Sequence, residues 1–228
     1  GGVFLEERGN GTPLTGNSTE AGHLSMQTTW TGRSKWKLSG FVQKQRFESS
    51  FSSQAADRGS ERPALDQFRV PATAVGLTIE WLRPTGGVHF LVAGSDLRQS
   101  TGQTNERYRN LGDGFTRLRR AGGTQQFTGV FLQDVMRWKE SWQFTLGSRI
   151  DIWRFSNGSR REFDLEEGGI LRDDDYSHRS GVDLGPKAGI RYQVNRRLVL
   201  RSSAYRTFRT PTLNELYRPF RVRNDITE

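Results

Sequence analysis

The sequence predicts an all-β protein, an antiparallel meander of about eight to ten long strands. Three observations carry that reading. Apolar and polar residues alternate with a period of two over long windows, short and long connections alternate strictly along the chain, and tryptophan gathers beside the short connections. No comparable window shows the period of about 3.6 residues that marks an amphipathic helix.

The alternation is clearest in three places. Val75, Leu77, Ile79 and Trp81 are separated by Gly76, Thr78 and Glu80. Trp142, Phe144, Leu146, Ile150 and Ile152 stand against Gln143, Thr145, Gly147, Arg149 and Asp151. Leu184, Ala188, Ile190, Tyr192 and Val194 stand against Gly185, Lys187, Gly189, Arg191 and Gln193. Successive side chains of a strand point to opposite faces, so each run has one apolar and one polar face. The expected strands are 2–8, 23–31, 35–49, 72–83, 88–98, 125–138, 142–155, 183–194 and 198–208. Several reach the length of about ten residues that a tilted strand needs to cross a bilayer.

The faces follow from parity. Val75, Leu77, Ile79, Trp81, Phe144, Leu146, Ile150, Ile190 and Tyr192 are expected on the convex side, exposed because lipid would cover them. Gln143, Thr145, Arg149, Asp151, Lys187, Arg191 and Gln193 are expected on the concave side. Strand 125–138 resists assignment, because Val130, Leu132, Met136 and Trp138 share a face with Asp134. The opposite face carries Phe127, Phe131 and Val135 with Gln133 and Arg137, and a parity-switching β-bulge would reconcile the two.

Short connections fall at 32–34, 84–87, 139–141 and 195–197, and long polar ones at 9–22, 50–71, 99–124 and 156–182. Long structureless loops are uncommon in compact soluble domains. Outer-membrane barrels, in contrast, have short periplasmic turns on one rim and long extracellular loops on the other. Trp30, Trp36, Trp81, Trp138 and Trp142, five of the six tryptophans, lie within a few residues of a short turn. Indole rings collect at membrane interfaces because they join an apolar body to a polar edge.

Composition agrees. Only 33% of residues are hydrophobic and the mean hydropathy is −0.72, yet there are 14 Phe, 6 Trp and 5 Tyr. Disordered chains are poor in aromatics; a thin apolar surface on a polar protein explains both facts. Without cysteine there is no disulfide framework or thiolate metal site. His23, His89 and His178 lack ligand spacing, so no metal site is expected. Asp173, Asp174 and Asp175 could hold a cation in a loop, although a solvated acidic loop is the commoner use. No stretch reaches the roughly 18 apolar residues of a membrane helix, and the first residues, "GGVFLEERG", have no signal-peptide pattern. The net charge is +9, and Lys35, Lys37, Lys44, Lys139 and Lys187 are the only lysines, so arginine dominates. Arginine suits phosphate, but these arginines spread over turns, loops and polar faces. A nucleic-acid surface would gather them on one face with stacking aromatics.

Motifs add a family. "FRTPTLNELY" (Phe208 to Tyr217) resembles a recurrent barrel segment of the TonB-dependent outer-membrane receptors. Its matching positions are Phe208, Arg209, Pro211, Asn214, Glu215, Leu216 and Tyr217. "GVFLQDVMRWKESWQFTLGSRID" and "LGPKAGIRYQV" are similar to further strands of the same family, and the resemblance runs over about 125–224. It implies part of a transmembrane barrel of about 22 strands, with the plug domain, TonB box and barrel ends outside 1–228. It further implies bacterial outer-membrane localisation, contact with lipid and lipopolysaccharide, coupling to TonB through the plug, and import of a siderophore, cobalamin or oligosaccharide. No cofactor, catalytic residue or nucleic acid is implied. A general porin and a soluble basic β module are the alternatives. In "NERYRNLGDGFTRLRRAGG" (105–123), read as a loop, Arg107, Tyr108, Arg117, Arg119 and Arg120 are candidate contacts for an anionic ligand or lipopolysaccharide phosphate.

Overall fold

The computed structural model describes residues 1–9, 11–85 and 87–219. The expected turn at 84–87 contains Gly86, and the resemblance runs past Pro219; both stretches lie partly outside the described residues. The strands are β1 (Gly2–Arg8), β2 (Gly16–Thr31), β3 (Lys35–Gln54), β4 (Glu61–Thr85), β5 (His89–Asn110), β6 (Phe115–Trp138), β7 (Trp142–Asp164), β8 (Ile170–Tyr176), β9 (Arg179–Gln193) and β10 (Val199–Tyr205). A short helix, α1 (Leu213–Tyr217), comes after β10. All ten strands form one antiparallel sheet in the order β1-β2-β3-β4-β5-β6-β7-β9-β10, with β8 also on β7. The meander is therefore observed, and β1 and β10 are its open edges.

The alternation sorts as expected. The row Leu77, Leu97, Thr128, Ile152 and Val182 lies across five paired strands, and so does Ile79, Ser95, Val130, Ile150 and Leu184. These apolar side chains are exposed, Val182 reaching 67%. One residue along, Asp96, Gly129, Asp151 and Asp183 form a row on the polar face. Among the described residues the buried apolar side chains are only Leu65, Tyr108, Ala121, Phe155 and Tyr217. A soluble module of this length would bury far more apolar surface, so that alternative fails.

Strand 125–138 is regular, and no bulge interrupts it. Asp134 stands on the apolar face opposite Leu91 and Leu146, where His89 Nδ1 meets its Oδ2 at 2.6 Å. The parity switch lies on β7 instead. Asn157 has a φ of 54°, in the left-handed region, and the β6–β7 register shifts between Gly122 and Thr124. Before the shift Phe155 pairs with Gln125; after it Glu162 pairs with Arg119, so the polar face changes from odd to even residues of β7.

The expected long connections are corrected. β3 to β7 run for 20 to 25 residues, so most of 50–71, 99–124 and 156–182 is strand. At about 3.3 Å per residue such strands extend well beyond a bilayer crossing. There both faces carry mostly polar residues, and the apolar alternation that revealed the lower halves disappears. β8 continues the line of β9 along β7, since Tyr176 pairs with Gly158 and Arg179 with Phe155.

The aromatic belt is a cross-strand ladder. Trp30 pairs with Trp36 and Trp36 with Trp81, the latter two rings 6.4 Å apart. Trp138 pairs with Trp142, which stacks on Tyr192 at 4.0 Å. The sixth tryptophan, Trp153, lies on the polar face and donates from Nε1 to Asp183. Among the described residues no helix is long and apolar enough to cross a membrane.

Two substitutions in the full-length protein test the faces. Leu146→Arg places a charge on the apolar face and is expected to cost about 2–4 kcal/mol near the bilayer midplane. Thr145→Arg, one residue away, is expected to cost about 0.5 kcal/mol or less. Urea titration of protein folded into vesicles measures both, and equal costs would contradict the assignment.

Candidate functional site on the polar face

The polar face holds two charge clusters. In the lower half, Arg149 reaches across two strands to Asp96, donating from Nη1 to Oδ2 at 2.6 Å and from Nη2 to Oδ1 at 2.9 Å. Its Nε donates to Asp151 at 2.7 Å. The guanidinium lies over Gly129, where an added Cβ would come within 1.9 Å of Nη2. A glycine is required there by the close approach of the arginine.

Above it, Arg119 sits between Glu106 and Glu162 on neighbouring strands, 1% exposed. Its Nη1 donates to Glu106 Oε1 and its Nε to Glu162 Oε1, both at 2.7 Å. Arg160 and the Tyr108 hydroxyl also donate to Glu162, and Arg218 Nε donates to the second oxygen of Glu106 at 2.8 Å. The Arg119 guanidinium lies 4.2 Å from the centroid of the Tyr108 ring. Burial opposes the charge on Arg119, but the hydrogen bond to Glu162 and the two carboxylate charges outweigh it and hold the guanidinium ionised. Burial likewise opposes ionisation of Glu162, and the Arg119 hydrogen bond and charge overcome it, leaving its carboxyl below the ordinary range.

The segment after β10 closes over this cluster. It crosses to the polar face of β6, where Gln125 Nε2 donates to the Pro211 carbonyl at 2.7 Å. Thr212 caps α1: its hydroxyl accepts from the Glu215 N–H, and the Glu215 carboxylate accepts from the Thr212 N–H. Arg209 donates twice to Glu215. The Thr212 N–H and then Arg209 hold the Glu215 carboxyl down at about 2. The Leu216 N–H bonds the Thr212 carbonyl and the Arg218 N–H that of Asn214, while Phe208 precedes the helix in irregular backbone. Tyr217 fills a notch made by two glycines, since a Cβ on Gly123 would lie 2.6 Å from its ring and one on Gly158 2.3 Å. Gly158 is next in the chain to the Asn157 bulge, so bulge and notch form one feature.

A cavity of about 480 Å³ lies between α1 and strands β3 to β6. Gln43, Gln45, Gln67, Ser100, Gln125 and Asn214 line it, with Arg98 as its cation. Amides and hydroxyls of this kind hydrogen-bond neutral polar groups.

The five candidate contacts are not in a loop, and only Tyr108, Arg117 and Arg119 come together. Arg107 and Tyr108 lie on β5 and Arg117, Arg119 and Arg120 on β6, joined only by 111–114. Tyr108, Arg117 and Arg119 share the polar face, where Arg117 pairs with Asp164. Arg107 and Arg120 point the other way, Arg107 near Asp66 at 3.5 Å and Arg120 over Phe163. The acidic run is likewise strand: Arg161 meets Asp173 and Asp175, and Arg172 meets Asp174. Among the described residues no group of three or more His, Asp or Glu gathers as a metal site would. Sequence reasoning misses Glu106 and Glu162 because nothing in their spacing marks them as neighbours of Arg119. The capping box Thr212–Glu215, by contrast, is legible in the motif itself.

Two variants of the full-length protein probe this site. Arg119→Ala leaves Glu106 and Glu162 buried without their shared cation and is expected to cost about 3–5 kcal/mol. Since the folded carboxyl of Glu162 is depressed, its share of that stability is expected to persist on acidification until pH falls below the ordinary glutamate value of about 4.3. Gly158→Ala is expected to destabilise through Tyr217. In a Tyr217→Ala background most of the effect should vanish, with a coupling of about 0.5–3 kcal/mol in a urea double-mutant cycle. Additive effects would separate the notch from the ring.

The TonB dependent receptor-like, beta-barrel model matches residues 3–226. The fold is similar to the ferric-catecholate import receptor Fiu of E. coli K12 in its open form, with a TM-score of 0.60 and 11% identity over 80% of this chain and 34% of that one. It is also similar to the ferric yersiniabactin uptake receptor FyuA of Yersinia pestis, with a TM-score of 0.58 and 12% identity over 80% and 27%. The ferric citrate transporter FecA, unliganded, gives 0.51 and 13% over 83% and 27%. No curated protein matches the sequence. This chain thus spans about a third or less of the length of these structures. With the match extending over nearly every residue, the chain belongs to the TonB-dependent receptor β-barrel family.

Proposed function

We propose that the protein is an outer-membrane transporter that imports a scarce solute under TonB, and that residues 1–228 form part of its wall. The observation that carries this reading is a sheet whose apolar side chains face outward while its charges and α1 occupy the opposite face. That face is the lumen of the barrel, the outward one meets lipid, and the short turns lie on the periplasmic rim. A plug domain outside these residues would couple the wall to TonB. No bond-making chemistry is assigned to any residue.

The solute belongs to the siderophore, cobalamin or oligosaccharide class. Ferric chelates are the first to test, since the structural neighbours are named for ferric catecholate, yersiniabactin and citrate. The amide-lined cavity offers hydrogen bonds to such a solute from the inner face. Arg107 and Arg120 point outward above the lipid, where lipopolysaccharide phosphates would meet them. The porin alternative has the family match against it.

Uptake of radiolabelled ferric chelates by cells carrying the full-length gene tests the reading. Uptake is expected to require both the gene and TonB, whereas entry of many small solutes without TonB would favour the porin. A second outcome concerns the two open edges. Each unsatisfied backbone group costs several kcal/mol in lipid. Residues 1–228 refolded alone in detergent are therefore expected to give no heat-modifiable monomer on gels. A stable one would make them a complete small barrel.

A further inference from the structure

The cations of this wall are unequally neutralised. Beyond the lower halves Arg117, Arg119, Arg160, Arg161, Arg172 and Arg218 each face a carboxylate, whereas Arg62, Arg69, Arg109 and Arg120 are not ion-paired to a described residue. Towards the short-turn rim Lys37 meets Glu80, but five further cations have no such partner. Arg33, Arg83, Lys139, Arg196 and Arg197 are all exposed, and none of them is ion-paired to a described residue. Of the acids on these lower strand ends, Asp134 is engaged by His89 and Glu80 by Lys37.

Position makes this more than a solvated edge. Arg83 lies two residues beyond Trp81 towards the turn, on the apolar face, since it pairs with Leu91 and Leu91 with Asp134. Lys139 has a φ of 54° at the turn, and its Nζ lies 5.1 Å from the Trp138 ring, against the aromatic belt. Arg33, Arg196 and Arg197 occupy the turns on either side. The cations thus form a tier just outside a row of indoles. An anionic lipid offers the complement, with its phosphate at the cations and its glycerol and upper chains at the rings.

We propose that this rim is a binding belt for anionic phospholipid, with phosphatidylglycerol headgroups as its occupants. The inference rests on the proposed orientation, in which the short turns meet the phospholipid leaflet. It does not depend on which solute is carried. The belt would select anionic over zwitterionic headgroups by charge, while the indoles fix the depth of the wall in the bilayer.

The test uses the full-length protein in detergent, offered phosphatidylglycerol or phosphatidylethanolamine, with retained lipid counted by native mass spectrometry. The wild type is expected to retain phosphatidylglycerol in preference. Replacing all five cations by Gln should reduce that preference more than ten-fold, each cation near an anionic surface contributing about five-fold. Heat-modifiable migration confirms that the variant folds. If it does not, Arg83→Gln with Lys139→Gln, and separately Arg196→Gln with Arg197→Gln, are read the same way. Undiminished preference in these variants overturns the inference. So does loss of bound lipopolysaccharide with phosphatidylglycerol retained, which would put the rim in the other leaflet. A wild type that imports nothing yet keeps the preference would remove the transport reading and leave the belt standing.

Discussion

A wall one strand thick has no interior, and that constraint shapes everything else in this protein. Each backbone N–H and C=O must find its partner on the next strand, because lipid offers none. Each side chain must then face one of two media. The result is a sheet that leaves most of its large apolar side chains exposed and whose buried residues are mostly polar or charged: Leu146 is 64% exposed while Glu106 is fully buried. The ordinary rule of apolar residues inside is reversed, as the proposed hydrocarbon surroundings of the outer face require.

Beyond the apolar alternation the strands still need something to hold their side chains in register, and charge takes the place of a core. Glu106, Arg119 and Glu162 lie side by side on three strands, and each carboxylate has a further cation. Buried ion pairs contribute little net stability when compared with apolar packing, but their loss on one side is costly. They therefore specify register more than they add strength. The bulge at Asn157 fits this role, because it turns the even residues of β7 to the lumen and brings Glu162 to Arg119. It also opens the glycine notch that Tyr217 fills, so the family motif is anchored where the strand changes face.

The lower halves of the strands are readable in the sequence because one face is apolar and the other polar. Val75 to Trp81 alternates without interruption and Trp142 to Ile152 with one, at Ser148, and their pairing obeys the alternation. The upper halves are not readable. Between Asn105 and Tyr108, and between Arg117 and Arg120, both faces are polar, so hydropathy carries no period and the stretch passes for loop. Asp134 misleads for a different reason: a carboxylate on the apolar face suggests a bulge, whereas His89 from the next strand meets it there. Pairing of β10 ends at Tyr205, ahead of Pro211, so the proline is not what stops the strand, and the fold of the α1 segment depends on Gly123 and Gly158. Two glycines far apart in sequence give no local sign that they will form one notch.

The central claim is that a single strand separates two media, and it can be read residue by residue. This chain contains no cysteine, so single cysteines can be introduced along β7 from Gln143 to Asp164 in the full-length protein and labelled with an environment-sensitive fluorophore. Brominated lipid is expected to quench at Phe144, Leu146, Ser148, Ile150 and Ile152, and an aqueous quencher at the residues between. Beyond Asn157 no position is expected to respond to lipid, and the outward-facing Ser159, Arg161 and Phe163 are expected to respond to the aqueous quencher. Quenching by lipid without alternation, or by water at every position from Gln143 to Ile152, would contradict the account.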